Sequence, residues 1–342
     1  MEKANLDWSN LGFEYRVTPK RYVSNYKDGK WEEGGLIDDP TVTISECAGI
    51  LQYCQECFEG LKAYTADNGD IVAFRPDLNA ERMFNSAARL EMPQFPKDKF
   101  LEAVDAVVKA NAAYVPPAGT GGSLYLRPYM FASGPVIGVK PSNEYQFRLI
   151  ATPVGAYFKG GANPITICVS DFDRAAPHGT GGIKAGLNYA MSLYPYVLAH
   201  QRGFAENLYL DPGTRTYVEE TGGANIIFIK DNTLVTPKSD SILPSITRRS
   251  LCYLAEHYLG MKVEHRPVRF DEVGNFEECG LCGTAAVISP VGRIVNGEQV
   301  ISFPAGMEKM GPKMQKLYDT LVGIQHGTIE GPEGWVRTIV KA

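Results

Sequence analysis

Short apolar runs, each bounded by glycine, proline or Asx residues, recur along the whole chain and are broken by a few longer stretches of helical period. Strand runs interrupted by helices without strict βαβ alternation predict a mixed α+β fold. Between Thr41 and Phe74 such runs flank the turn Asp67-Asn68-Gly69-Asp70, which predicts a hairpin. Asn79 offers an N-cap for a helix through Leu90, and a second helix is expected from about Asp98 to Tyr114, with Phe100, Leu101, Val104, Val107 and Val108 on one face. Strands are expected at 123–131 and 145–153. Beyond them lie further strand runs at 165–170, 208–210, 226–229, 262–268 and 285–288. Asn296-Gly297, between Ile294-Val295 and Gln299-Val300, predicts a tight hairpin. Helices are expected over 189–201, with Pro195 as a kink, 245–259 and 312–325. The stretch VGAYFKGGANP, 154–164, is the linker candidate, dividing the chain into an N-terminal domain, 1–153, and a C-terminal domain, 165–342.

Composition narrows the class. At roughly 100–200 residues per domain, 342 residues suit two domains. With 44% hydrophobic and 21% charged residues the chain can bury a core, which argues against disorder. The net charge of −5, with no basic block, gives no footprint for nucleic acid. The opening MEKANLDWSNLGF has no apolar segment of the kind a secretion signal needs, and no uncharged apolar run approaches the ~20 residues of a membrane span. A cytoplasmic enzyme is the expectation, with no nucleic-acid or membrane partner. Of the seven cysteines, Cys54/Cys57 and Cys279/Cys282 have the CxxC spacing of zinc or redox sites, against the plainer reading of buried thiols.

Three segments carry chemistry. His178-Gly-Thr-Gly-Gly-Ile-Lys184-Ala-Gly-Leu-Asn188-Tyr189 lacks the Gly-Lys-Ser/Thr of a phosphate loop. It can be an exposed loop lysine, or a lysine whose amine reacts with a carbonyl while small neighbours admit a flat cofactor. Glu219-Glu220-Thr-Gly-Gly-Ala-Asn225 can be a solvated turn, or it can hold a fixed carboxylate against a pyridine nitrogen. Pro244, read as a first-turn proline, leaves the N–H groups of Ser245, Ile246 and Thr247 for water or for a phosphate.

Taken with Leu243-Pro244 and Gly283-Thr284-Ala285, these segments resemble the fold-type-IV pyridoxal-phosphate enzymes. The N-terminal motifs Phe58-Glu-Gly-Leu-Lys-Ala-Tyr64, Phe74-Arg-Pro, Leu78-Asn-Ala-Glu-Arg82-Met, Tyr125-Leu-Arg127-Pro128 and Pro153-Val-Gly-Ala-Tyr157-Phe narrow the resemblance to the branched-chain amino acid aminotransferases. It extends from about Phe13 to past Trp335. It implies a small N-terminal α/β domain, a larger C-terminal domain with a β-barrel-like core, and a cofactor between them.

By resemblance, Lys184 forms the Schiff base with pyridoxal 5′-phosphate and moves the proton. Glu220 pairs with the pyridinium nitrogen, since the family glutamate stands five residues before the asparagine. Tyr189 meets the cofactor O3′, and Arg82, Ile246, Thr247 and Thr284 hold the phosphate. Phe13, Tyr53, Phe58, Val139 and Tyr157 line the side-chain pocket, with Tyr53 and Val139 arriving from the other subunit of a homodimer. Arg127 beside Tyr125 suits the glutamate γ-carboxylate, while the Thr284 and Ala285 amides suit the α-carboxylate. No metal is implied. The reaction implied moves the amino group of leucine, isoleucine or valine to 2-oxoglutarate, and 154–164 would serve as linker and gate.

Two departures stand out. The redox CxxC that some members carry after the GTA motif is replaced by Ala286-Val-Ile-Ser289, and the turn before Leu243-Pro244 is one residue short. The alternatives are a D-amino acid aminotransferase or aminodeoxychorismate lyase of the same fold type and, from another class, a CxxC zinc or redox module.

Overall fold

The runs expected as strands at 123–131 and 145–153 form a ladder of ten successive antiparallel pairs, from Ser123 opposite Val154 to Ala132 opposite Tyr145. The computed structural model describes residues 2–155 and 162–342, so six residues of the expected linker, 156–161, and with them Tyr157, lie outside the described residues. The chain groups into two units: Met1–Tyr157 with Ile183–Leu187 and Gly323–Ala342, and Phe158–Gly182 with Asn188–Val322. Two segments beyond 154–164 thus cluster with the first unit, among them the one that contains Lys184.

The first unit contains β1 (Arg21–Lys27), β2 (Lys30–Trp31), β3 (Gly35–Ile37), α1 (Gly49–Tyr53), β4 (Glu56–Phe58), β5 (Leu61–Thr65) and β6 (Ile71–Phe74). After these come α2 (Pro76–Arg89), α3 (Lys97–Ala110), β7 (Ser123–Ala132) and β8 (Tyr145–Val154). One antiparallel sheet runs from the C-terminal strand Val336–Val340 through β6, β5, β7, β8 and β1 to β2, with β3 beside β1 and β4 beside β7. The expected hairpin is β5–β6. The apolar face of α3 (Phe100, Val104, Val107, Val108) joins Leu124, Leu126, Phe147 and Leu149 in one core. There Phe147 stacks on Phe95 with centroids 3.9 Å apart and meets the Tyr22 ring edge-on at 6.2 Å.

Two expectations are corrected here. Helix α2 begins at Pro76, because a proline needs no donor in the first turn. Asn79 is therefore no cap; it is buried inside the helix and donates to Glu59 Oε2 at 2.7 Å. Helix α3 stops at Ala110, where the Asn111 side chain donates to Val107 O, and a 3-10 turn covers Ala112–Tyr114.

The second unit takes β9 (Ile165–Val169), most of α4 (Gly186–Gln201), β10 (Asn207–Leu210), β11 (Val218–Thr221), β12 (Asn225–Lys230) and β13 (Thr233–Pro237). It continues with α5 (Ile246–His257), β14 (Lys262–Arg266), β15 (Glu278–Gly283), β16 (Val287–Asn296), β17 (Gln299–Ser302) and most of α6 (Pro312–His326). Its sheet runs β11-β10-β9-β16-β15-β12-β13-β14, with β17 on β16. The β9–β10, β9–β16 and β13–β14 pairs are parallel and the rest antiparallel. The Asn296-Gly297 hairpin joins β16 to β17 as expected. Pro195 sits within a continuous α4. Residues 284–286 form a turn rather than the start of a strand, and β16 begins only at Val287. The fold class is the mixed one that the pattern of runs implied.

Truncating Phe147 removes the shared partner of three rings, so Phe147→Ala is expected to lower unfolding free energy by about 3–5 kcal/mol, read as a lower denaturant midpoint.

Candidate active site

In the first unit the polar site grows from β4, β5, β7 and α2. Strand alternation sends Tyr125 and Arg127 of β7 to one side. There Arg127 Nη2 donates to Tyr125 Oη at 2.8 Å, and its guanidinium lies 4.7 Å from the Phe58 ring centre. Phe13 meets Tyr125 edge-on at 5.1 Å. The Arg127 Nε is buried with no hydrogen-bond partner among the described residues, which leaves a donor available to an incoming group. Arg82, on α2, is held in a bidentate pair by Glu59, with Nε and Nη2 each donating at 2.7 Å. Glu59 is fully buried, so the pair is desolvated on both sides.

Lys184 belongs to this group. Its Nζ lies 4.7 Å from the Phe58 ring centre. The residue keeps some accessible surface, yet burial of the amine is the main cause that lowers its pKa to about 8, with the Arg82 charge adding and Glu59 opposing. A fraction of free amine is thereby present near neutral pH.

Tyr53 and Val139 stand apart from these residues. They line a shallow cavity of about 320 Å³ with Cys54, Leu90 and Leu187, and Val139 is 88% exposed.

In the second unit Glu219 and Glu220 sit on adjacent positions of β11, and neither is solvated. Glu219 accepts from Ser239 Oγ at 3.0 Å. Glu220 pairs with Arg174 at 3.0 Å and accepts the Leu243 N–H at 2.9 Å and an Asn225 amide N–H. Burial raises the Glu220 pKa, against the pull of Arg174 and of these donors, so its carboxylate is a better proton acceptor than an exposed one. The short turn before Pro244 thus has definite contacts: Ser239 to Glu219, Ser241 Oγ to Pro177 O, and Leu243 to Glu220. A Cβ at Gly182 would press on Asp240 O at 2.7 Å, so glycine lets the segment before Lys184 pass close to that backbone.

Ser245, not Pro244, begins the helix region. Its Oγ caps α5 by accepting the Arg248 N–H, and Pro244 precedes the cap. The Ile246 and Thr247 amides remain the first-turn donors that have no intrahelical acceptor. Thr284 and Ala285 occupy the β15–β16 turn, and Tyr189 lies partly buried in the first turn of α4.

The resemblance singles out Lys184, Arg82, Arg127 and Glu220 but not Glu59 beside Arg82, Arg174 beside Glu220, or Glu56, which accepts from Gly186. Glu59 stands inside the Phe58-Glu-Gly motif, whereas Glu56 and Arg174 carry no local signal. The cysteines are all free, and among the described residues no cluster of three or more His, Cys, Asp or Glu is placed to hold a metal. Cys54 is exposed while Cys57 is buried, so that pair presents no common face to a metal.

Residues 56–294 match the family model for amino-transferase class IV. The branched-chain-amino-acid aminotransferase of Haemophilus influenzae is 50% identical over 97% of this chain and 98% of its own. That of Helicobacter pylori is 46% identical over 97% of each. Among solved structures, the T.th. branched-chain amino acid aminotransferase with pyridoxamine 5′-phosphate matches with TM-score 0.80 at 25% identity, covering 95% of this chain and 100% of that one. The Escherichia coli enzyme matches with TM-score 0.78 at 28% identity, covering 93% and 99%.

In the cofactor-free protein, acylation of Lys184 should show a pH midpoint at about 8, against an ordinary lysine value of 10.5, when followed peptide by peptide by mass spectrometry. Between these values the folded chain holds fewer protons than the unfolded one. This group's penalty on stability is therefore present below about pH 8 and lifts as pH rises toward 10.5.

Proposed function

The chain belongs to the class IV aminotransferases and, within them, to the branched-chain-amino-acid aminotransferases, and from that premise we propose that it moves the amino group of L-leucine, L-isoleucine or L-valine to 2-oxoglutarate. The products are the branched-chain 2-oxo acids and L-glutamate. The cofactor is pyridoxal 5′-phosphate.

The residues present fit that group. It needs a neutral amine, and the Lys184 pKa of about 8 supplies one. It needs a fixed carboxylate, and Glu220 is held from three directions. It needs donors for a phosphate, and first-turn amides at Ile246 and Thr247 are of that kind. Lys184 is the observation that carries the reading: a desolvated lysine amine among an aromatic ring and two guanidinium groups serves poorly as a surface charge and well as a nucleophile.

When bound, the cofactor supplies an electron sink for the pair left as the substrate Cα–H bond breaks. The Lys184 amine would act as the general base that takes and holds the substrate Cα proton. Glu220 would keep the pyridine nitrogen protonated, Tyr189 would donate to O3′, and Arg82, Ile246, Thr247 and Thr284 would hold the phosphate. Phe13 and Phe58 supply the apolar wall, with Tyr157 assigned to it from its motif. Such a wall separates substrates by only about 1–3 kcal/mol per methylene, so all three branched chains should be accepted. Arg127 receives the γ-carboxylate of the other substrate, and the Thr284–Ala285 amides the α-carboxylate. Under the same proposal the enzyme is a cytoplasmic homodimer in which Tyr53 and Val139 complete the pocket of the other copy; the exposure of Val139 favours this.

Borohydride reduction of the holoenzyme should fix the cofactor to the peptide bearing Lys184, and Lys184→Ala should lose roughly 10³-fold or more in turnover with the fold retained. Label on any other lysine rejects the reading. Arg127→Ala is expected to raise KM for 2-oxoglutarate by roughly ten- to a hundred-fold, the worth of a charged hydrogen bond, while moving KM for leucine less than threefold. Equal losses on both substrates would instead make Arg127 a structural residue.

A further inference from the structure

The segment that carries Lys184 is gripped at three backbone points by its own unit. Ser86 Oγ accepts the Lys184 N–H at 3.1 Å, and the Phe58 N–H donates to Lys184 O at 3.0 Å. The third point is charged: Glu56 Oε2 accepts the Gly186 N–H at 2.8 Å. Glu56 opens β4 two residues before Phe58, and strand alternation sends both side chains to the same side. One short strand therefore presents an aromatic ring to the lysine amine and a carboxylate to the backbone two residues further on.

Glu56 differs from the other carboxylate nearby. Glu59 is committed to Arg82 in a bidentate pair, whereas Glu56 has no ion pair within 4.0 Å among the described residues. Its bond to Gly186 is a charge-assisted one, about twice as strong as a neutral bond. Position 186 is shaped to match, since a Cβ there would run into the Glu56 carboxylate. Burial raises the Glu56 pKa, while the Gly186 N–H, Arg127 and Lys184 pull it back toward the ionised form, which is the stronger acceptor.

We propose that Glu56 is a positioning residue for this enzyme's reaction, clamping the backbone beyond Lys184 through Gly186 so that the amine stays aimed at the cofactor aldehyde it condenses with and at the substrate Cα it deprotonates. The inference rests on the assignment of Lys184 as the cofactor-bearing lysine. Ser86 and Phe58 fix the lysine's own peptide group. Without the third point the chain beyond it can rotate, and a small misplacement of a reacting amine is costly in rate.

The test uses Glu56→Ala, which removes the acceptor, and Glu56→Gln, which retains a carbonyl oxygen for Gly186. Two quantities are read: the rate at which the apo-protein takes up pyridoxal 5′-phosphate, followed by absorbance, and the steady-state constants of the holoenzyme. Glu56→Ala should slow uptake and lower kcat by roughly ten- to a hundred-fold, with KM for leucine moved less than threefold. Glu56→Gln should recover to within about fivefold of the parent in both. Gly186→Ala breaks the same bond from the other side, leaves Glu56 in place, and should reproduce the slow phenotype even if Glu56→Ala folds poorly. Uptake and kcat within threefold of the parent in Gly186→Ala, or a Glu56→Gln as slow as Glu56→Ala, would overturn the clamp. Borohydride label on another peptide of the parent protein would overturn the underlying assignment of Lys184, and the clamp with it.

Discussion

A lysine amine removed from water governs the chemistry available to this chain. Desolvation disfavours the ammonium, and the neighbouring Arg82 charge disfavours it further, so Lys184 titrates at about 8 rather than 10.5. That environment would be unstable if its other charges were left alone. Arg82 is itself nearly buried, and only the bidentate grip of Glu59, supported by Asn79, makes a desolvated guanidinium tolerable. The Phe58 ring packs against the cations of Lys184 and Arg127, favouring both through its π-face. Each of these groups is needed because another is buried.

The second unit solves the complementary problem with the opposite sign. Glu220 is a buried carboxylate, and Arg174, the Leu243 N–H and Asn225 hold it in one orientation. Arg174 is fastened in turn to the carbonyls of Gly181 and Ser241, so the glycine turn and the turn before Pro244 meet on one guanidinium. The turn before Pro244 delivers the Leu243 N–H to Glu220, while the Ser239 and Ser241 hydroxyls tie it to Glu219 and to Pro177 O.

Much of this was legible in the linear chain. Most of the helices and strands and the two hairpins follow from period and turn residues, though β1–β3 and the strand Val336–Val340 do not, while Lys184, Arg82, Arg127 and Glu220 are assigned by the resemblance that the ordered motifs carry. The misreadings were local. Asn79 read as a cap because its side chain suits one, but Pro76 competes for the first turn and takes it. Pro244 read as the first helical residue, whereas the Ser245 hydroxyl is the better cap. Ala285 read as strand because it is apolar, yet it lies in the turn where β15 reverses into β16.

Period and propensity thus determine most of the elements that form, since these depend on neighbours within a few residues, and the motifs nominate the reactive side chains. Only folding decided the partners: Glu59 for Arg82 across 23 positions, Arg174 for Glu220 across 46, and Glu56 for Gly186 across 130. Those choices are absent from any local pattern because a carboxylate looks the same in sequence whether water or a guanidinium will solvate it. What distinguishes the two is the removal of water, and that is a property of the packed chain alone.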